Sequence, residues 1–358
     1  MSANPHGISY VLPLRWSRDE GIAELAAYLE RIGEAVDEVV VVDGSAPERF
    51  DLHARLLHGA RHVRPDPDLD FAMGKVNGVV SGVRAARHER VIVADDDVRY
   101  RPEQLPELAS MLDRAELVRP QNYFSLLPWH ARVDTGRSLL NRVVSGDPTW
   151  PAADFPGTLA LRRSFFCEIG AYDGDVMFEN LELIRTVYVA GGRVLNPLDF
   201  YVERRPPSAS HFISQRVRQA YDDFALPLRM TALLAAGPLL AVAALRRRFG
   251  AIAAAAAGIA AVAEVGRRRA GGRAYFPASS SALAPLWALE RAACAWLAVV
   301  QRLRGGVRYS GRTIKRSATP LRELRLRYGR PGPAAGLDPA DGSALPSAAP
   351  SASKRIVL

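Results

Sequence analysis

Across residues 8–200 the apolar positions switch between strand-like runs and helical spacing. Ile8 to Leu14 is a short apolar run containing Pro13 and predicts a first strand. Ser17-Arg18-Asp19-Glu20 fits a capping box, with Ser as N-cap and Glu three residues on. Ile22, Leu25, Ala26 and Leu29 then share one helical face as far as Gly33. Glu38 to Val42 is β-branched and ends in Asp43-Gly44-Ser45, which predicts a second strand and a βαβ unit. Arg61 to Arg64 predicts a short strand, Pro65 to Asp70 a loop, and Gly74 to Arg87 a helix. Val91-Ile92-Val93-Ala94 runs directly into Asp95-Asp96-Asp97. A continuous apolar run of this kind predicts a parallel-sheet strand buried on both faces. Pro102 starts a further helix, and Leu117 to Pro120 predicts a short strand. Residues 121–155 are rich in Trp, Pro, Asn and Arg and keep neither period, so they read as an irregular insertion lining a pocket. Gly157 to Ser164 resumes as a strand, with Ser164 capping a short helix to about Ile169. Asp173 to Phe178 reads as a loop, Glu179 to Ala190 as a helix broken by Gly191-Gly192, and Arg193-Val194-Leu195 as a last strand.

The pattern changes after Pro206-Pro207. Residues 206–224 read as an amphipathic linker, and three alanine-rich apolar stretches follow at Ala225–Leu245, Phe249–Val265 and Ala282–Val300. Their lengths are close to the roughly 20 residues that span a bilayer. Arg246–Arg248, Arg267–Arg269 and Arg302–Arg308 flank them on nearly every side, so the positive-inside rule selects no single topology. Helices lying in the interface fit the same pattern, as do alanine-rich helices packed on the preceding domain. From Arg330 the chain is rich in Pro, Ala, Ser and Gly and reads as disordered. The expected organisation is an α/β domain over 1–205, the linker over 206–224, apolar membrane-associated or transmembrane helices over 225–305, and a basic, partly disordered tail over 306–358.

Composition sharpens this picture. The 358 residues are 48% hydrophobic and 24% charged, with a formal charge of +9. The arginines concentrate from Arg204 onward, beside the apolar stretches, which favours anionic lipid head groups as a partner. The aromatic–basic interleaving of RNA-binding surfaces is missing, so no nucleic-acid partner is expected. Cys167 and Cys294 are far apart and in unlike contexts, which argues against a disulfide framework or a zinc site and fits a reducing compartment. Met1 to Leu14 lacks a basic region followed by a long apolar core, so no cleavable signal peptide is expected.

The acidic triplet carries the chemistry. Open α/β sheets bind ligands at the carboxyl ends of their strands, where Asp95-Asp96-Asp97 falls. Adjacent carboxylates repel one another unless a positive group sits among them. Oxygen ligands select a hard divalent cation such as Mg²⁺ or Mn²⁺. If the strand geometry continues, Asp95 and Asp97 share one side and Asp96 faces the other. The alternative is a plain acidic turn that ends a strand.

These residues resemble the inverting family 2 glycosyltransferases of GT-A fold, which use nucleotide-diphosphate sugars. The resemblance covers about residues 8–200 and rests on six segments in the family's order. They are Ile8 to Leu14, Val40-Val41-Val42-Asp43-Gly44-Ser45, Gly74-Lys75-Val76-Asn77-Gly78, Asp95-Asp96-Asp97, Gly157 to Arg163, and Phe178-Glu179-Asn180-Leu181-Glu182-Leu183. It implies a donor site formed by Pro13, Asp43, Lys75, Asn77 and Asp96. It implies a Mg²⁺ or Mn²⁺ ion on Asp95 and Asp97, the two acids of the family's DxD. Catalytic chemistry falls at Glu179, Asn180 and Glu182. The expected reaction moves one sugar to a lipid or lipid-linked glycan acceptor, with the catalytic domain at the cytoplasmic face of the cell membrane.

Two departures matter. The family's general base is usually the Asp of Glu-Asp, and here that position is Asn180, an amide that takes no proton. Glu179 is the nearest substitute, with Glu182 one helical turn on. Gln215-Arg216-Val217-Arg218-Gln219 resembles the Gln-x-x-Arg-Trp of processive members, but Gln219 replaces Trp, so long-chain synthesis is not expected. The competing readings are a metal-dependent nucleotidyltransferase, for which Leu14-Arg15-Trp16-Ser17 supplies no glycine-rich phosphate loop, and a non-catalytic relic that still binds nucleotide sugars.

Overall fold

The computed structural model describes residues 7–17, 21–145 and 156–329. Arg18–Glu20 of the expected capping box, residues 146–155 and the tail from Arg330 lie outside them.

The architecture is mixed α/β around a central seven-stranded sheet. Strand β1 (Ile8–Leu14) leads through α1 (Ile22–Gly33) to β2 (Glu38–Asp43), then through α2 (Pro47–Leu56) to β3 (Arg61–Val63). Helix α3 (Gly74–Ala85) leads to β4 (Arg90–Ala94). A two-residue β5 (Val98–Arg99), α4 (Gln104–Ser110), β6 (Leu117–Val118), β7 (Gln121–Phe124) and α5 (Trp129–Val144) follow. Next come β8 (Thr158–Arg162), α6 (Arg163–Glu168), α7 (Glu179–Val189), β9 (Val194–Leu195) and β10 (Tyr201–Arg204). The central sheet has the order β3-β2-β1-β4-β8-β6-β9. The first four strands are parallel, and β8 pairs antiparallel with both β4 and β6. A small second sheet has the order β5-β10-β7.

The strands are apolar throughout because both faces are covered. Tyr10, Leu12 and Ile92 pack with α1 and α4 on one side. Val11, Val40, Val42 and Val93 pack with α3 and α7 on the other. The alternation follows from the two-residue period of a strand. Because β1 sits between β2 and β4, the topological switch point lies at the carboxyl ends of β1 and β4, where open sheets bind ligands.

Three local readings are corrected. Helix α1 is preceded by Gly21 at φ 99°, so Ser17 lies four residues short of the cap position. Strand β4 ends at Ala94, and Asp95 to Asp97 form a turn closed by the Val98 amide on the Asp95 carbonyl at 3.1 Å. The strand geometry therefore stops before the acids, and their placement is set by this turn. Ser164 does not cap α6, which starts at Arg163; its amide donates to Glu89 at 3.1 Å.

The second half is helical. Helix α8 (Ala209–Tyr221) is capped by Ser208, whose Oγ accepts from the His211 amide at 3.3 Å. A short 3₁₀ turn, Asp222–Ala225, leads to α9 (Pro227–Leu245), α10 (Phe249–Arg268) and α11 (Ala278–Leu303). The chain ends with a hairpin of β11 (Val307–Tyr309) and β12 (Arg312–Ile314), then α12 (Leu321–Tyr328). Helices α10 and α11 pack on α5 through Leu139, Ala263 and Ala284. Farther along α11, Cys294 and Ala298 join the main core beside Tyr221. Helix α11 therefore lies lengthwise on the domain. Its other face, with Leu286, Leu289, Trp296 and Leu297, is exposed. By length and composition all three helices are able to cross a membrane.

The segment 121–155, read as irregular, contains β7 and the sixteen-residue helix α5. The first part of the tail is also ordered. The Met177 and Phe178 amides donate to the Arg316 and Ser317 carbonyls at 2.9 and 2.7 Å, which ties this strap to the loop before α7.

Candidate active site

A cleft of about 550 Å³ opens at the switch point. Its walls include Pro13, Lys75, Asn77, Asp95, Asp96, Asp97 and Glu179, seven of the ten residues the sequence nominated. Helix α3 delivers Lys75. A Cβ on Gly78 would stand 2.8 Å from the Pro13 Cβ, so glycine at this position lets α3 press on β1 and carry Lys75 over the end of the sheet. Lys75 Nζ lies 2.6 Å from Asp95 Oδ1 and 3.0 Å from Glu179 Oε1. Burial alone would lower the Lys75 ammonium, but Asp95 and Glu179 outweigh it and hold the group charged.

Asp95 is fixed by its neighbour strand. Its amide donates to the Gly157 carbonyl at 2.8 Å, and a Cβ on Gly157 would approach Asp95 Oδ2 to 2.7 Å. A side chain at this position would push the Asp95 carboxylate from its place. Asp97 is met by Arg204 from β10, whose Nε donates to Asp97 Oδ2 at 2.7 Å. Arg204 Nη2 also lies 3.8 Å from Asp95 Oδ2. Asp97 Oδ1 is buried with no hydrogen-bond partner. Burial pushes the Asp97 carboxyl up, against the pull of Arg204. Asp96 turns away and accepts from the Trp16 indole nitrogen.

Asp95 and Asp97 suit a divalent cation. Both are hard oxygen donors, and Asp97 Oδ1 is orphaned where such an ion would satisfy it. Among the described residues no cluster of three or more His, Cys, Asp or Glu side chains converges on a cation position. An ion held here would therefore rest on these two acids, with ligand oxygens and water completing its shell, as Mg²⁺ commonly does.

Four nominated residues are placed elsewhere or otherwise engaged. Asp43 is fully buried and does not line the cleft. Its Oδ1 accepts from the Ser45 amide at 2.8 Å, and its Oδ2 lies 2.6 Å from His53 Nδ1 and 3.1 Å from His62 Nε2. Burial would raise this carboxyl, but the bonds from His62, Ser45 and His53 hold it well below the usual carboxylate range. Glu182 is fully buried and faces the strap, where its Oε2 accepts from the Thr319 amide at 2.8 Å. Asn77 lines the cleft, yet its side chain clamps the Phe71 backbone through two bonds of 3.1 and 3.2 Å. Asn180 donates to the Pro156 carbonyl at 3.1 Å and borders a second cavity of about 180 Å³.

Sequence reasoning missed Arg15, Arg204, His211, Arg218 and Tyr309, which also line the cleft. Tyr309 arrives on the strap hairpin, beneath the Arg218 guanidinium at 5.4 Å. Arg204 had one available signal: Tyr201-Val202-Glu203-Arg204 is a short alternating run after Pro197, long enough for an edge pairing.

No family model matches the chain, and no curated protein matches it. Solved structures are similar at low identity. The mannosyltransferase PcManGT from Pyrobaculum calidifontis, in complex with GDP-Man and Mn²⁺, is 19% identical, over 80% of this chain and 89% of that chain, at a TM-score of 0.47. The glucosyl-3-phosphoglycerate synthase from Mycobacterium tuberculosis, in complex with Mn²⁺, UDP and glucosyl-3-phosphoglycerate, is 17% identical, over 62% of this chain and 80% of that chain, at a TM-score of 0.43. Both similar structures are glycosyltransferases that carry Mn²⁺ together with a nucleotide or nucleotide sugar.

Proposed function

We propose that this chain is a metal-dependent glycosyltransferase that moves one sugar from a nucleotide-diphosphate donor to a hydroxyl of a lipid or lipid-linked acceptor, with inversion. The observation that carries the reading is the alternation of charge at the carboxyl ends of β1 and β4. There Asp95 and Asp97 are interleaved with Lys75 and Arg204 on the floor of one cleft. A divalent cation on the two acids would neutralise the leaving diphosphate as a Lewis acid. The chain's own cations do the rest. Arg15 and Arg218 on the walls attract the phosphates, and Lys75 and Arg204 hold the acids in place. Glu179 is ion-paired to Lys75, which suits it to orient that lysine.

The test is calorimetric titration with a panel of nucleoside diphosphates, with and without Mn²⁺. Binding of one nucleotide that requires the metal supports the donor site and names the donor class. Binding of none, in either condition, removes it.

The lipid side rests on the apolar faces of α9, α10 and α11. Only 6%, 11% and 33% of their most apolar stretches is buried within the protein. Helix α9 is about 28 Å long at 1.5 Å per residue, so a spanning α9–α10 pair would carry Arg246–Arg248 at its turn to the far side of the bilayer. A hairpin lying in the interface keeps those arginines among head groups and exposes the same apolar surface to acyl chains. Replacing Arg246, Arg247 and Arg248 together by Ala removes about 3 kcal/mol of attraction at about 1 kcal/mol per charge. Sedimentation with anionic vesicles should weaken by about two orders of magnitude, and that with neutral vesicles should not change. Equal loss on both vesicle types would show that the arginines do not meet the lipid surface.

A further inference from the structure

The second cavity meets the cleft at Lys75, Asp95 and Glu179, which line both. Asn180 is on its wall, where the resemblance would place a proton acceptor. The same wall carries two carboxylates from the 3₁₀ turn after α8, and they differ. Asp223 is buried between two arginines, 3.1 Å from Arg229 Nε and 3.6 Å from Arg291 Nε. Among the described residues Asp222 makes no ion pair, and its Oδ1 is buried without a hydrogen-bond partner while lining the cavity.

On the glycosyltransferase reading of the cleft, we infer that this cavity seats the acceptor hydroxyl and that Asp222 is the general base. The hydroxyl proton passes to the Asp222 carboxylate. The hydroxyl oxygen forms the new bond to the anomeric carbon. The bond from that carbon to the phosphate oxygen breaks, and its electron pair leaves with the nucleoside diphosphate. Asn180, bonded to the Pro156 carbonyl, then serves to shape the wall.

The electrostatics agree with this role. Burial pushes the Asp222 carboxyl up to about 8, with Glu179 from α7 and the adjacent Asp223 adding to the rise and Arg218 from α8 and Arg291 from α11 opposing it. Lys75 from α3, Asp95, Arg137 from α5, Arg204 from β10 and Arg229 from α9 complete the charged wall. A base whose proton affinity lies near the working pH is the efficient kind. The folded carboxyl titrates above its unfolded value of about 4. Asp222 therefore costs stability as pH rises from about 4 through 8.

The experiment uses the full chain in detergent micelles and the nucleotide sugar that the binding panel selects. Nucleoside diphosphate release is followed with water, and with vesicles of a polar-lipid extract, as acceptor. Asp222→Asn is expected to lower turnover about 10²- to 10⁴-fold, the usual range for a lost general base. Its affinity for the nucleoside diphosphate with Mn²⁺ stays within twofold. Wild-type turnover rises with pH to a plateau above about 8, and the variant loses this limb. At pH 8 to 9 Asp222→Asn melts higher than wild type, as removal of a buried carboxylate that must ionise there requires. Asp222→Glu keeps partial turnover with a displaced limb, and it decides the question if the Asn variant does not fold. Turnover of Asp222→Asn within threefold of wild type, or an unaltered limb in either variant, overturns the assignment. Failure of wild type to bind any nucleotide overturns the underlying donor reading instead.

Discussion

Asp97→Ala is expected to abolish metal-dependent nucleotide binding and to cut turnover about a thousandfold. The size follows from the several kcal/mol that a Lewis-acid cation supplies to a developing diphosphate, at about 1.4 kcal/mol per factor of ten. Asp97 is a cleaner probe than Asp95. Asp95 also holds Lys75 at 2.6 Å and packs against Gly157, so its loss disturbs α3 and β8 together. Asp97 carries the orphaned Oδ1, and its one ion pair is to Arg204. Removing the carboxylate leaves that guanidinium with only the longer contact to Asp95, 3.8 Å away, on the cleft floor. Metal-free nucleotide should therefore bind the variant at least as well as wild type while the Mn²⁺ enhancement disappears. Calorimetry with and without Mn²⁺ reads both effects. An enhancement that survives in Asp97→Ala would move the cation to another part of the cleft.

The parts of the fold legible in the sequence are those whose burial is apolar. Strands β1, β2 and β4 and helices α1 and α3 bury Val, Ile and Leu at one clear period. Helix α5 escaped for the opposite reason. Its buried positions include His130, Asp134, Thr135, Asn141 and Arg142, so its inward face reads as polar. Thr135 and Asp134 find partners within the helix, in the Ala131 carbonyl and Arg137, but the rest of the network reaches far away in sequence. Arg142 bonds Gln121, the Tyr201 hydroxyl and the Gly266 and Arg269 carbonyls, and Arg216 joins Asp134 to Glu290. No local pattern encodes such a network. Helix α2 was missed because it buries only His53. In the site, Asp95, Asp97, Lys75 and Glu179 were legible because each lies at the end of a regular element. Arg204 and Asp222 were not, since both reach the cavities from short segments placed by tertiary contacts.

Asp43 offers the sharpest contrast between a role implied by resemblance and one implied by structure. The resemblance places its carboxylate against the nucleotide base, whereas here both oxygens are engaged beneath the cleft by Ser45, His53 and His62. Asp43→Ala should cost about 3 kcal/mol of stability, the lower end for breaking a buried hydrogen-bonded pair. The cost depends on pH in a defined direction. The unfolded carboxyl titrates near 3.9, and the folded one is held well below that. Between the two values the unfolded chain takes up the proton first, so acid favours unfolding. The stabilisation is complete above about pH 4 and is lost as pH falls through the folded value. Urea titrations of wild type and variant should therefore differ most at neutral pH and converge toward pH 2. Nucleotide binding should weaken only indirectly, because Ser45 Oγ accepts from the Trp16 amide at 2.9 Å and the Trp16 indole in turn holds Asp96. A variant of unchanged stability that no longer distinguishes one nucleoside diphosphate from another would put Asp43 on the base after all, and would require the 43–45 turn to open when the donor binds.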